Sequence, residues 1–575
     1  MIRNNVSTNV VVNLARDPKS WEAWRLPLCY EPLRALSLLS GLVAIHCLTP
    51  VCAADEIAQV KITLTEATSN GEAVSVPGLI RCTDSSGNVV EIVELLNRGT
   101  GLALAGESAE REIHSWSVLP RTMTITLPQQ FVKLEAFSGI ETELATMTID
   151  LSGESKAEVT IPLVRLIDQD QRDWRSANTH LHIMKLSREE CDRYLMEIPA
   201  ADRLDLVFVS HLERAVVDVT YITNRYSTDD LKQLSDATGV LFGWGEEHRH
   251  NMNAGPEGYG HVMLLNIQEL IQPVSIGEGI MKQGTDGIPL ARGILSAKRQ
   301  GGTIVWCHNG WGRESTPNLF QKNVDAVNIF DGGTRSSYSD SFYRYLNAGL
   351  RIPFSTGTDW CQYDFSRAYA RMDEPLTVEN WLQALRLGRS SITNGPLLEL
   401  EVNNQKIGDT VSLSADDRQL HVRAKAKGRR DFERLEVIID GEVVFSKASH
   451  PVGGHFEAVI DETLIAEKSG WLAVRTPPPS VPKDAQREQQ TPLNEYGREI
   501  FSHTSPVYIE IDELKHFDME TARQLLMEME LHRDFINDKF EFSDAHERAH
   551  VLQVYDDGIR ALQQQMKAAE RTLID

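Results

Sequence analysis

The sequence predicts a multidomain protein in which an α/β unit over residues 168–396 sits between two β-sandwiches and is followed by a helical tail. Three observations predict it. Apolar residues recur at every second position over 54–167 and again over 397–511, the period of half-buried strands. Between these stretches, short apolar runs alternate with helix-length amphipathic segments, as parallel strands and crossover helices do. From residue 512 onward the apolar spacing changes to three and four. At 575 residues the chain is also longer than one core accommodates.

The composition, 41% hydrophobic and 24% charged, is that of a soluble globular protein. A formal net charge of −24 argues against nucleic acid as a partner and against anionic membrane surfaces, both of which need basic faces. A small anionic substrate stays open, because a bound metal ion brings its own positive charge. Residues 1–53 read as a signal peptide with a long leading region. Arg34 precedes the apolar run Ala35 to Leu48, and Val51-Cys52-Ala53 supplies small residues for cleavage. The run is short for a bilayer span and polar sequence follows it. The expectation is therefore an exported protein, periplasmic or extracellular, with no stable membrane span after cleavage. Beyond the cleavage point Cys82, Cys191, Cys307 and Cys361 are scattered without a CxxC pair, which predicts free buried thiols.

In the first sandwich, Val60, Ile62 and Leu64 alternate with polar residues, as do Met123, Ile125 and Leu127, and Val159, Ile161 and Leu163. Ser69-Asn70-Gly71 and Ser85-Ser86-Gly87 supply turns. A polar linker at about Asp168 to Arg175 ends this domain. The α/β unit then offers strands at Leu206–Val209 before His211, Val240–Phe242 before Glu246, Thr303–Trp306 before His308 and Ala326–Phe330 before Asp331. Ile352-Pro353-Phe354 leads towards Asp359. Helices are predicted at Ser187–Ile198, Ser227–Ala237, Pro289–Gln300, Ser341–Ala348 and Val378–Leu387. Strand-helix alternation means parallel strands, open or closed into a barrel, with sites at the carboxyl ends of the strands. In the second sandwich Leu398, Leu400 and Val402 alternate, and Val437 to Val444 reads as a hairpin turning at Asp440-Gly441. Thr476–Pro492, with three consecutive prolines, is a long loop. The tail, 512–575, reads as a helical hairpin bending between Phe535 and Asp544, which either packs on the preceding domains or dimerises.

The polar residues at these strand ends suit a metal centre. His180 and His182 end a short apolar run and project to one side of a strand, where two imidazoles chelate one ion. The other candidates are His211, Glu246 or Glu247, His261, His308 and Asp359. A lone HxH is a weak signal, but this many ligand-type residues at successive strand ends is a strong one. His248 and His250 fit solvent exposure or substrate contact as well as ligation. Trp306, Trp311, Trp360 and Tyr363 gather near the proposed ligands and predict either an apolar rim or aromatic core.

The 180–396 segment resembles the PHP (polymerase and histidinol phosphatase) metallohydrolase superfamily, in its CehA/McbA-type branch. His180-Leu181-His182 is similar to the opening HxH, His211 to the second motif and Gly245-Glu246-Glu247 to the GxE motif with Glu247 in register. Gly260-His261, Cys307-His308 and Gly357-Thr358-Asp359 resemble the later motifs, and Arg389-Ser390 through Thr393-Asn394-Gly395-Pro396 is similar to the segment that follows the site. The resemblance implies a distorted barrel of about seven β/α units holding zinc, manganese or iron, and hydrolysis of phosphoesters or a carbamate ester. The chain departs from the pattern at Ser210, where an acidic residue is usual, at Asn309 in place of proline, and at Cys361 in place of a histidine. With that ligand lacking, two divalent ions are expected rather than three, held by His180, His182, His211, Glu247, His261, His308 and Asp359. A water of such a centre has its pKa lowered to ~7, which supplies hydroxide for attack on a phosphoester or a carboxyl or carbamate ester. Asp359 would also accept the water proton, and Arg389 or Arg313 would contact an anion. The expected partner is a small-molecule ester substrate. An amidohydrolase barrel also opens with HxH but supplies a lysine in mid-barrel, where this chain has Glu246-Glu247. The alternative from another class is an exported ligand- or glycan-binding protein on a degenerate scaffold.

Overall fold

The computed structural model describes residues 56–102, 112–167, 173–213, 221–250, 258–277, 284–334, 336–479 and 492–572. The signal-peptide expectation, and much of the linker and of the proline-rich loop, lie outside the described residues. Among the described residues no helix is long and apolar enough to cross a membrane.

The first sandwich forms as its alternation dictates. Ile57–Ala67 lies between Met123–Pro128, antiparallel, and Lys156–Leu163, parallel, and buries every second residue. A second sheet around Gly78–Thr83 and Phe131–Phe137 covers that face, so Val60, Ile62, Leu64, Leu134, Ile125 and Ile161 share one core.

The α/β unit is a curled, mixed sheet. Strand β1 (Trp174–His182) pairs in parallel with β2 (Leu206–His211), and β2 with β3 (Leu241–His250). Strand β4 (Gly260–Leu265) runs antiparallel to β3 and to β5 (Thr303–Trp306). The order continues in parallel through β6 (Ala326–Asn328) to β7 (Phe354–Ser355), and β8 (Asp359–Trp360) pairs back on β1 at Leu181. The sheet therefore curls round to its first strand, but a regular run of seven parallel β/α units is not what it contains. The reversal at β4 has a simple cause: the link from His250 to Gly260 is too short for a helical crossover and long enough for a hairpin.

Four helices pack on this sheet where amphipathic spacing predicts them: α1 (Arg188–Ala201), α2 (Thr228–Thr238), α3 (Leu290–Arg299) and α4 (Val378–Arg386). Ser187 with Glu190, and Ser227 with Asp230, form reciprocal caps that start α1 and α2, and Gly239 at φ 77° ends α2. Beyond β8, strand β9 (Arg367–Arg371) returns antiparallel along the other end of β1, and β10 (Ser390–Thr393) pairs with β9 and with Ser502–Thr504, carrying the sheet into the second sandwich. The Asp440-Gly441 hairpin forms as predicted.

The tail folds as α5 (Met519–Lys539) and α6 (Ala545–Thr572) and packs on the α/β unit. Leu525, Met529, Ile536, Val551, Tyr555 and Leu562 belong to the same core as β4, β5 and β6. At the closest approach a Cβ on Gly558 would stand 2.5 Å from Pro317, so only glycine lets α6 lie this near. Cys82, Cys191, Cys307 and Cys361 are free and buried, as expected.

Candidate metal centre

Strand alternation aims the two histidines of β1 inward. Leu181 packs with α1 and α2, while His180 and His182 face the opposite side and are fully buried. Three rings have their Nδ1 atoms engaged. His182 Nδ1 donates to the Ser210 carbonyl at 3.0 Å, His180 Nδ1 to Asp331 Oδ2 at 2.9 Å, and His308 Nδ1 to Asp331 Oδ1 at 3.0 Å. An acceptor on Nδ1 holds the proton there, which leaves the Nε2 lone pairs pointing into the centre.

Those lone pairs converge. His180 Nε2 and His182 Nε2 are 3.0 Å apart, His182 Nε2 is 3.0 Å from Glu247 Oε2, and His180 Nε2 is 3.3 Å from Asp359 Oδ1. The other Glu247 oxygen, Oε1, lies 2.9 Å from His261 Nδ1 and 3.9 Å from His308 Nε2. Glu247 thus stands between two ligand sets: His180, His182 and Asp359 on one side, His261 and His308 on the other. A third set joins His180 and His308 to Asp331.

So many buried lone pairs and carboxylates in one place call for positive charge. Asp359 Oδ1 is buried without a hydrogen-bond partner among the described residues, although two imidazole nitrogens stand within 3.7 Å of it. A divalent cation satisfies this set, since histidine nitrogen and carboxylate oxygen are the ligands that zinc, manganese and iron take. Electrostatics agree. Burial works against an imidazolium at His180, yet Asp359, Cys307 and Asp331 together push its pKa well above the usual value. Burial likewise opposes charge on His308, and Asp331 reverses it. Burial and then Arg249 push His261 down to about 3, which keeps that ring neutral with a lone pair to give. Glu247 is held well below the carboxylate range, because His261, His180 and His182 outweigh its burial.

Local structure shapes the loops that complete the set. Gly357 presses against β1 so closely that a Cβ would meet His180 N and Cβ at 2.6 Å, and Thr358 N donates to the His180 carbonyl. Asp359 and Cys361 then take left-handed backbone at φ 61° and 52°, each costing about 1–3 kcal/mol. His308 and Asn309 are also left-handed. Asn309 secures that turn by accepting from Phe330 N and donating to Thr334, a role for which an asparagine is suited.

Six of the seven predicted ligands therefore meet: His180, His182, Glu247, His261, His308 and Asp359. His211 does not. It shares the face of Val207 and Val209, which pack towards α1 and α2, and its Nε2 lies 3.1 Å from Glu213. The inward position on β2 belongs to Ser210. The Glu246/Glu247 alternative resolves the same way: Glu246 faces outward, accepting from Ile271 N and lying 3.0 Å from His248 Nδ1. His248 and His250 are neither exposed nor in the centre; both are buried on that outer face, His250 against Asp286 and Tyr259.

Arg389 is a correction too. It precedes β10, and its neighbour Arg371 pairs with Trp174 at the start of β1, so it lies about 20 Å from His180 along the strand, bonded to Asp373. Arg313 stacks on Phe535 of α5, 4.1 Å from the ring centre. Cys361 is buried beside Gly101 and Leu186 in an apolar cluster, facing away from the ligands. Trp306 is core, whereas Trp311 meets His261 edge-on and Trp360 lies beside His182. The Asn394-Gly395-Pro396 segment is a joint: Asn394 bonds Asp364, the Glu499 carbonyl and Phe501 N.

No protein-family model, curated protein or solved structure matches this chain. The site therefore rests on its own geometry.

Two residues of the centre were not among the predicted ligands. Asp331 orients two rings at once; its signal was available, since it ends an apolar run just as His211 and His308 do. Arg249 follows Glu247 by two residues and pairs across from His261, so all three share the inner face. Asn at position 331 keeps a single acceptor oxygen and cannot hold both rings. Asp331→Asn is expected to weaken metal binding about 10- to 100-fold, read by competition with a chromophoric chelator. Unchanged affinity would remove Asp331 from this role.

Proposed function

We propose that the protein is a metal-dependent hydrolase of the PHP type that cleaves a phosphoester or a carboxyl or carbamate ester. The observation that carries this reading is the convergence of three Nε2 lone pairs on Glu247, with Asp359 Oδ1 left bare beside them. The curled sheet, with ligands at the carboxyl ends of β1 and β3, supports a distorted form of the barrel that the sequence resemblance implies.

Divalent ions held there would supply a water acidic enough to give hydroxide near neutral pH and would polarise the ester oxygen. His180, His182, Glu247 and Asp359 would hold one ion, and Glu247, His261 and His308 the other, with Glu247 shared. Asp359, whose Oδ1 has no hydrogen-bond partner among the described residues, would take the proton of the attacking water. Arg249 on the same face offsets negative charge growing on the substrate. The stacked pair Tyr221 and Trp360, 5.6 Å apart, packs beside His182.

Elemental analysis of the purified chain is the direct test, followed by a screen of phosphomonoesters, phosphodiesters, carboxyl esters and carbamates. About two ions per chain and turnover of one class are expected. The second reading, a binding protein on this scaffold, draws on His211 and Cys361 facing away from the centre. It predicts less than about one ion per chain and no turnover.

A further inference from the structure

The turn that carries Asp359 is built into a network reaching well outside the α/β unit. Gln362 closes it. Its backbone N donates to Tyr194 Oη of α1 at 2.6 Å, and its carbonyl accepts from Arg98 Nη1 at 2.6 Å. Arg98 belongs to the first sandwich and is fully buried, as is its ion-pair partner Asp202 at the end of α1. The pairing is two-pronged: Nε to Oδ1 at 3.2 Å and Nη2 to Oδ2 at 2.5 Å. Asp202 also accepts from the Gln362 side chain at 3.3 Å, and Tyr496 of the second sandwich donates to it at 3.4 Å.

A buried ion pair of this kind needs a reason, because well-packed apolar residues of similar volume often serve stability as well as such a pair does. The backbone supplies one. Asp359 and Cys361 both hold left-handed conformations that non-glycine residues avoid, and such a turn persists only where its surroundings over-determine it. Arg98 has the geometry for that. Its planar fork occupies Asp202 with two nitrogens and leaves the third for the Gln362 carbonyl, three residues from Asp359.

We propose that Arg98 is a positioning residue of the metal centre, by which the first sandwich holds the strained Asp359 turn in ligating geometry. This rests on the reading of the centre as a metal site. The first sandwich is then part of the site's construction and not an accessory module.

The test uses the full chain and cobalt(II), whose visible spectrum reports ligand geometry. Two variants are compared with the parent: R98K, which keeps the charge opposite Asp202 but cannot fork to Gln362, and the double variant R98M/D202L, which removes both charges together. In each, cobalt affinity is expected to fall at least tenfold, with an altered ligand-field band and a circular-dichroism spectrum like the parent's. Parental affinity and band shape in both variants would overturn the proposal while leaving the metal centre standing. A parent chain that takes up no cobalt would overturn the metal centre itself. Loss of the fold in both variants would also overturn it, making Arg98 an ordinary core residue.

Discussion

A chain carrying His180→Ala together with His182→Ala is expected to bind one ion fewer than the parent at concentrations that saturate the parent, and to hydrolyse none of the parent's substrates. The two rings supply the Nε2 atoms that face Glu247 and Asp359, and His180 also belongs to the set around Asp331. Without them the first ligand set is reduced to two carboxylates, and two ligands do not hold a divalent ion against water. Thermal unfolding gives a second readout. Each ion present at about 100 times its dissociation constant stabilises a folded chain by about 2.7 kcal/mol, a contribution the variant should show for one ion fewer than the parent. Parental circular dichroism separates the loss of ligands from loss of fold. Hydrolysis surviving in this variant would place the active site elsewhere.

Arg429→Ala is expected to lower the stability of the chain by about 3–5 kcal/mol, measured by urea unfolding. Arg429 ties the second sandwich to the first. Its guanidinium forks onto Glu495 at 2.8 and 3.0 Å, donates to the carbonyls of Gly139 and Thr142 at 2.9 and 2.8 Å, and lies 3.9 Å from the Phe137 ring centre. Truncation leaves a buried carboxylate with Arg430 alone, at 3.2 Å, and takes the donor from two carbonyls at once. The pair also sets a pH dependence. Burial would raise the Glu495 pKa, but the charge and hydrogen bonds of Arg429, with Arg430 behind it, hold it below the ordinary glutamate value. A folded-state pKa below the unfolded one means that this stabilisation is complete above the unfolded value of about 4.3 and is lost as pH falls through the folded one. The double variant Arg429→Met/Glu495→Leu should therefore lose less stability than the parent on acidification below about pH 4.3. An identical acid limb would show that this pair does not contribute to it.

Much of the fold could be read from local periodicity. The alternation at Val60, Ile62 and Leu64, the caps at Ser187 and Ser227, and the Asp440-Gly441 turn are choices made by residues near in sequence. Strand β4 escaped this reading, because a buried apolar run states no direction and only the short link from His250 reverses it.

By itself the sequence determined that a strand ending in His180 and His182 would present both rings on one side, and that further ligand-type residues would stand at successive strand ends. It could not determine which side of each strand would be the inside. Glu246 and Glu247 are equally good ligands one residue apart, and on the neighbouring strand Ser210 faces inward where His211 faces outward. A shift of one residue sends a side chain to the opposite face of a sheet. That choice is made by how the sheet curls, through pairs such as Ser210 with Gly245 and Leu181 with Asp359. The same curl brings Asp331 against two histidines, and the packing of the first sandwich brings Arg98 to the Asp359 turn. Such contacts join residues far apart in the chain, and no local pattern encodes them.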